Sequence, residues 1–389
     1  MIPFGQHIDR LQRYADRTLL IIGALLVLIS FAAAFSTSSN LVNHYRVHGA
    51  GYYLMKHFFL VAAGVVIFFV SSSINTSFYK KYAHLLLWMV IALVIFTDIF
   101  GQSAGVENVR RWLRFGPISV QPSLMALTFS LMFTAFYLDK IKNTKTDFSY
   151  DLRHYWIWLG ILTGAVVIYN NSTALLIMTL NSLLLFLGGY GFKKFVYALL
   201  LGLVGILMYF LAAKAFPQYI PNRIDTLINR FERFTSKEKQ QTDIQPLRAK
   251  IAIASGGLIR FAPGKSVQKN LLSQSSSDFI YAVIVEEYGA LLGGVVILAL
   301  YIILAIKILA ISRLSKNYYE KLLVLALGLP ITFQAFINMA VAVGAIPVTG
   351  QPLPVISAGG TTLFMTAFAL GVIIRIGISA KMQENQTDE

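Results

Sequence analysis

Residues 263–289 read PGKSVQKNLLSQSSSDFIYAVIVEEYG and bring several reactive groups together. Lys265, Gln268, Lys269 and Asn270 lead into a run of Ser. Asp278 marks the seam where the sequence turns apolar, and Glu286 and Glu287 lie inside the apolar run. A carboxylate at such a seam can act as a general base toward a hydroxyl, or ligate a hard cation. It can equally cap a helix, since SSSD before an apolar run is a capping signature and the helix dipole favours an anion there. Neighbouring residues on a helix point about 100° apart, so Glu286 and Glu287 do not share one pocket. Glu286 returns close to the face of Asp278. Glu287 fits an interhelical ion pair with a basic residue, which is also the plainer alternative for Glu286.

Two further segments carry candidate chemistry. In 107–123, ENVRRWLRFGPISVQPS, Arg110, Arg111 and Arg114 surround Trp112. The Arg fork matches phosphate oxygens, and Trp favours the headgroup level of a bilayer. The segment is therefore expected to be a pyrophosphate or lipid-headgroup site, with a generic interfacial anchor as the alternative. Segment 346–362, IPVTGQPLPVISAGGTT, is uncharged and too rich in Pro and Gly for a regular helix. It is expected to re-enter the membrane or line a cavity, with Pro352, Pro354 and Ser357 as candidate lining residues. A rigid turn is the bland alternative. The His residues show no zinc-binding spacing, and nucleotide-binding glycine motifs are absent.

The elements that must position these groups follow from composition. Of 389 residues, 56% are hydrophobic and 13% charged, with a mean hydropathy of +0.65. That balance predicts an all-α polytopic membrane protein. With no Cys, disulfides and thiol chemistry are excluded. Apolar runs near 19–36, 52–72, 83–100, 120–138, 155–170, 173–189, 195–215, 279–311, 321–345 and 360–378 predict ten spanning helices, the fifth and sixth forming a tight hairpin around Asn170–Ser172. The first run is expected to be a retained helix rather than a cleaved leader. Lys and Arg concentrate on one set of connections, which places both termini in the cytoplasm. Segment 216–278 then becomes one large extracytoplasmic loop. Within it, 220–235 is expected to hold interfacial helices, 236–246 a flexible tip and 247–258 a short helix. The chain reads as a single transmembrane domain, 1–389, ending in a polar, frayed cytoplasmic tail, 379–389. The net charge of +15 fits topology and anionic lipid better than nucleic acid.

Taken together, PGKSVQKNLLSQSSSDFIYAVIVEEYG, VRRWLRFGPISVQPS, NNSTALLI and IPVTGQPLPVISAGGTT resemble the signature blocks of the SEDS family (shape, elongation, division and sporulation), its cell-division branch most closely. The resemblance implies a peptidoglycan glycosyltransferase of the bacterial inner membrane that polymerises lipid II on the outer face. It also implies a class B penicillin-binding transpeptidase and other divisome proteins as partners, and a divalent cation, magnesium or manganese. On that reading Asp278 is the catalytic carboxylate. Arg110, Arg111, Lys265, Gln268, Lys269, Glu286, Pro352, Pro354 and Ser357 are the substrate-binding candidates. A lipid II transporter and a non-catalytic scaffold are the competing readings. The sequence departs from the family at Leu124 and Leu127, where the pattern has Glu and Lys. Joint loss of an i, i+3 pair leaves neither charge stranded.

Overall fold

The computed structural model describes residues 4–45, 49–103, 110–116, 118–215, 232, 234–235, 244–272 and 274–388. Seven helical runs among them are long and apolar enough to cross a membrane: Arg17–Ser38, Ala50–Ser73, Thr76–Phe100, Pro122–Ile141, Ile280–Leu314, Tyr318–Val343 and Gly360–Gln386. Asn171–Leu187 is apolar but shorter. The chain is thus an all-α polytopic membrane protein with a small sheet added. Most of 220–235 and of the expected tip at 236–246 lies outside the described residues.

The chain divides into two compact units. The first comprises Met1–Ile74, Arg230–Leu314 and Ile331–Glu389. Its elements are α1 (Phe4–Tyr14), α2 (Arg17–Tyr45), α3 (Ala50–Ser73), α10 (Ile244–Ser255), α11 (Ile280–Gly289), α12 (Val296–Leu314), the second half of α13 (Tyr318–Val343) and α14 (Gly360–Asp388). α14 packs on α3 at very short range. A methyl group on Gly371 would sit 2.0 Å from Ser71 Oγ and 2.5 Å from Phe68 O. The tail expected to fray instead continues α14 through Asp388.

The long run Ile280–Leu314 is not one uniform helix. Gly289 leaves helical geometry at φ 79° and ψ 170°, and residues Ala290–Val295 form a π-helical turn before α12. The freed backbone groups find partners in the extended segment after α10. Ala262 N donates to Glu287 O and Arg260 N to Tyr288 O, while Ala290 N and Leu291 N donate to Gly257 O and Leu258 O. A break at membrane depth is tolerated when protein supplies these bonds. The contact requires bare glycines, since a methyl on Gly256 would meet Val285 O at 2.2 Å.

The second unit comprises Asn75–Asn229 and Ser315–Pro330. It holds α4 (Thr76–Phe100), the strands β1 (Gln102–Ser103), β2 (Arg110–Phe115) and β3 (Ile118–Val120), α5 (Pro122–Ile141), α6 (Phe148–Asp151), a π turn at Leu152–Trp156, α7 (Ile157–Tyr169), α8 (Asn171–Leu187) and α9 (Phe192–Ala215). The strands form one antiparallel sheet in the order β1-β2-β3. Within segment 107–123 the Arg-Trp block therefore lies on a strand, β2, paired with β3. α5 is buried over most of its length and meets α4, α7 and α8. Its polar residues are satisfied inside the unit: Thr134 donates to Asn181 Oδ1 at 2.5 Å, and Asn181 Nδ2 to Ser130 Oγ at 3.0 Å. Leu124 and Leu127 are 5% and 1% exposed, ordinary core positions of α5. The hairpin between α7 and α8 turns at Asn170, whose side chain caps α8 through Thr173 N.

At the α5–α6 end of this unit, Asp151 is fully buried. Tyr137 OH donates to Oδ1 at 2.6 Å, and Tyr190 OH and Lys194 Nζ donate to Oδ2 at 2.8 and 2.9 Å. Burial alone would raise its pKa, but the bonds from Tyr137, Lys194, Thr146 and Tyr190 outweigh it and hold the carboxyl below its ordinary value. A lowered carboxylate contributes stability above its unfolded pKa of about 4 and loses it as pH falls through the folded value. Asp151→Asn is expected to cost about 3 kcal/mol at neutral pH. The steepest part of the acid decline in Tm should also vanish from thermal unfolding of the solubilised variant. An unchanged pH profile would show that the cluster contributes nothing.

Candidate functional site

Asp278 lies in the turn Gln274–Phe279 that leads into α11, and is half-buried. Capping, one of the two readings open for Asp278, finds no support at the start of α11, where the N-cap residue is Phe279 with no side-chain cap. What fixes Asp278 is the turn's backbone. Asn338 Nδ2, from α13, donates to Asp278 O at 2.9 Å and to Gln351 O at 2.8 Å. Ser357 Oγ donates to Ser277 O at 2.9 Å, and Ala358 N to Ser276 O at 3.0 Å. The Pro-rich segment thus straps the turn from behind. Within it, Leu353 N donates to Ser357 Oγ at 2.8 Å, and Tyr301 OH, from α12, donates to Pro354 O. Gly350 takes φ 72°, and a methyl there would stand 3.6 Å from Asp278 Oδ2. The carboxylate therefore faces a bare stretch of backbone.

The three candidates in this segment divide by burial. Pro354 and Ser357 are buried supports of the strap, while Pro352 is half-buried. Val355 holds φ 69°, a conformation unfavourable for a β-branched residue and maintained by its surroundings. Asn338, Tyr301 and Gln334, whose Nε2 donates to Gln351 Oε1 at 3.2 Å, were not legible as site residues, because single polar groups in apolar helices look alike in sequence. Thr349 Oγ1 and Asn338 Oδ1 are buried oxygens without a hydrogen-bond partner among the described residues.

Glu286 and Glu287 are 2% and 1% exposed. Glu286 accepts from Ser266 Oγ, from Val267 N at 3.0 Å and from Gln268 N at 3.3 Å. Glu287 accepts from Ser36 Oγ of α2, from Gly264 N at 3.0 Å and from Ser266 N at 3.1 Å. The ion pair expected of Glu287 gives way to bonds from main-chain amides and hydroxyls. Lys269 is buried beside them and donates to Gly264 O at 2.6 Å. Burial lowers its pKa, and Glu287 and Glu286 act in the opposite sense. Lys265 is exposed and Gln268 half-buried. Lys250 of α10 is a cation the sequence reading missed: it lies across Gly344, where a methyl would come 2.8 Å from its Nζ.

Arg110 and Arg111 sit on β2 of the second unit. With Thr97, Asp98, Ser123 and Asn170 they line a small open cleft at the ends of α4, α5 and α7. Arg110 is exposed and donates to Asp98 O and Ile99 O, the last carbonyls of α4. Asn170 Nδ2 donates to Ser123 Oγ at 3.3 Å. Cationic forks beside amide and hydroxyl groups suit an anionic, hydroxylated ligand.

The divalent cation implied by the resemblance does not fit these residues. Among the described residues, no group of three or more His, Cys, Asp or Glu could hold a metal ion. Glu286 and Glu287 already spend their oxygens on N–H and O–H donors, which leaves Asp278 without a second carboxylate to complete a hard-cation site.

A family model described as Cell cycle protein, FtsW/RodA/SpoVE, matches residues 16–382. The chain is 27% identical over 385 residues to a probable peptidoglycan glycosyltransferase FtsW of Geobacter metallireducens, covering 98% of this chain and 99% of that one. It is 28% identical over 366 residues to the protein of the same name from Coxiella burnetii, covering 92% and 93%. Among solved structures it matches a chain of a peptidoglycan synthase complex described as coordinating polymerization and crosslinking, with TM-score 0.69, 19% identity and coverage of 94% and 98%. It also matches the rod shape determining protein RodA of Thermus thermophilus, with TM-score 0.65, 20% identity and coverage of 93% and 96%. At these identities the structures establish a shared fold.

Asn338 offers a test of the strap. Asn338→Ala strips the donor from two carbonyls and should cost about 1–3 kcal/mol. Asn338→Asp should be worse at neutral pH, because a carboxylate would face Asp278 O and Gln351 O. Equal melting temperatures for the two variants would show that Asn338 does not hold the turn.

Proposed function

Because the chain belongs to the FtsW/RodA/SpoVE family of cell cycle proteins, we infer that it is a peptidoglycan glycosyltransferase, building glycan strands from a lipid-linked precursor. The observation that carries the residue-level reading is the placement of Asp278: a half-buried carboxylate, fixed through its backbone and facing the bare Gly350. In the proposed reaction Asp278 takes the proton from the acceptor sugar hydroxyl as that oxygen attacks the anomeric carbon of the donor. The anomeric C–O bond breaks, and the polyprenyl pyrophosphate leaves with the electron pair. Lipid II supplies both the donor and the acceptor unit.

Lys265 is the exposed cation of the 264–269 loop and supports stabilisation of departing phosphate charge, an electrostatic role that fixed cations perform well. Lys250, across Gly344, is a second cation for the same task. Arg110 and Arg111 are assigned to holding a lipid-linked pyrophosphate in the cleft they line, with Asn170 and Ser123 available to a sugar hydroxyl. Buried Lys269, Pro354 and Ser357 support the loop and strap rather than the ligand, while Pro352 and Gln268 remain candidate contacts.

We further propose ten spans with both termini cytoplasmic, segment 216–278 on the outer face, and one functional transmembrane domain. The likeness to a chain of a complex that couples polymerization to crosslinking supports a crosslinking transpeptidase as partner; its class B penicillin-binding type and its place at the division site rest on the sequence resemblance.

In liposomes carrying lipid II and a co-purified transpeptidase, wild-type protein should yield glycan polymer. Asp278→Asn should yield none while still binding its partner. Near-normal polymer from Asp278→Asn would overturn the assignment, and lipid II transport without polymer would overturn the activity. Arg111→Ala should raise the lipid II requirement by about tenfold, the worth of one charge-assisted contact. An unchanged substrate dependence would remove Arg111 from the site. For topology, a single Cys introduced near either terminus should resist an impermeant thiol reagent in intact cells, and rapid labelling would invert the orientation.

A further inference from the structure

Glu286 and Glu287 sit where a reactive carboxylate would be expected, on the helix that Asp278 precedes, yet each of their four oxygens is buried and already accepts from the protein. Between them they accept from the main-chain amides of Gly264, Ser266, Val267 and Gln268 and from the hydroxyls of Ser36 and Ser266. The buried Lys269 closes the same loop from within: its ammonium donates to Gly264 O, while its amide donates to Ser266 Oγ at 3.1 Å. The result is a clasp in which two carboxylates of one membrane helix hold a six-residue loop by its backbone. The loop's outward side chains, Lys265 and Val267, make no part of the grip and are exposed.

We propose that Glu286 and Glu287 are positioning residues, which lock the 264–269 loop to α11 so that Lys265 is presented in a fixed relation to Asp278 on the same helix entrance. They act on substrate affinity without contacting substrate. Ser36 belongs to the same device, since it ties Glu287 to α2 through Oε1, the oxygen that also accepts from Ser266 N of the loop. The inference rests on the polymerase reading for its kinetic consequence, but the clasp itself can be read without any turnover.

Three features make a positioning role the economical account. First, amide donors aimed at a buried carboxylate are strong, mutually reinforcing bonds, and losing one leaves a charge short of solvation. Second, the loop has no regular structure beyond the short 3-10 turn Gln268–Asn270, so its shape depends on what grips it. Third, Gly264 takes φ 72°, the left-handed conformation that lets its amide reach Glu287.

The test uses the absence of native cysteine. A spin label attached through Val267→Cys, in full-length protein in liposomes, reports loop motion. In the otherwise unaltered chain the label should be immobilised. Ser36→Ala and Glu287→Gln should each mobilise it, and each should raise the KM for lipid II by about tenfold while kcat stays within about twofold. Ser36→Thr, which keeps the hydroxyl, should restore both readings. Ser36→Ala decides the matter if Glu287→Gln does not fold. A mobilised loop with unchanged KM would overturn the positioning role. An immobile loop with collapsed kcat would make Glu287 a participant in the chemistry. Failure of the unaltered chain to make polymer would defeat the polymerase reading alone, because the label still reports the clasp.

Discussion

A carboxylate taken into a membrane helix must bring its own hydrogen-bond donors, and the architecture of the first unit depends on how α11 meets that demand. Glu286 and Glu287 recruit main-chain amides from a loop that would otherwise have no defined path. The loop in turn needs α2 close by, through Ser36. Two turns into the same helix the backbone breaks at Gly289, and the segment after α10 supplies the missing partners. Side-chain acceptors and main-chain gaps are thus satisfied by one continuous excursion of chain, residues 256–269. The cost of burying charge and broken backbone is offset by local bonds, so the site can be both polar and rigid at the edge of an apolar span.

The second unit solves a related problem differently. Its buried polar groups pair among themselves, in the Ser130–Thr134–Asn181 seam and in the Asp151 cluster. Polar pairs of this kind fix the register of helices that would otherwise slide over one another on apolar surface. Near the start of α5 the chain has Leu124 and Leu127 and no charges. The two leucines pack there as apolar core, beside the hydrogen-bonded pair Ser123 and Asn170.

Hydropathy made the spanning helices legible, because twenty apolar residues have few other uses. The turn at Asn170 was readable for the same reason: a short polar interval between apolar runs has one economical fold. The strands at 110–115 and 118–120 were not, since three arginines around a tryptophan point to a ligand more loudly than to a ladder. Asp278 was legible as a seam, but its cap was not the right reason. The partners of Glu286 and Glu287 escaped because a sequence displays side chains and the partners are amides. A glycine at 264, set between Pro263 and a Lys-Ser pair, was the one hint of a loop folding back. The implied cation rested on the resemblance alone, and no cluster of ligands among the described residues answers to it.

The turn carrying Asp278 is gripped almost wholly through carbonyl oxygens, those of Ser276, Ser277 and Asp278 itself. The hold on the main chain comes from far along the sequence, since Asn338 and Ser357 lie sixty and more positions downstream of the carbonyls they grip. The pose of the turn is therefore set at a distance, and a change at either donor would be felt at Asp278 without touching its side chain.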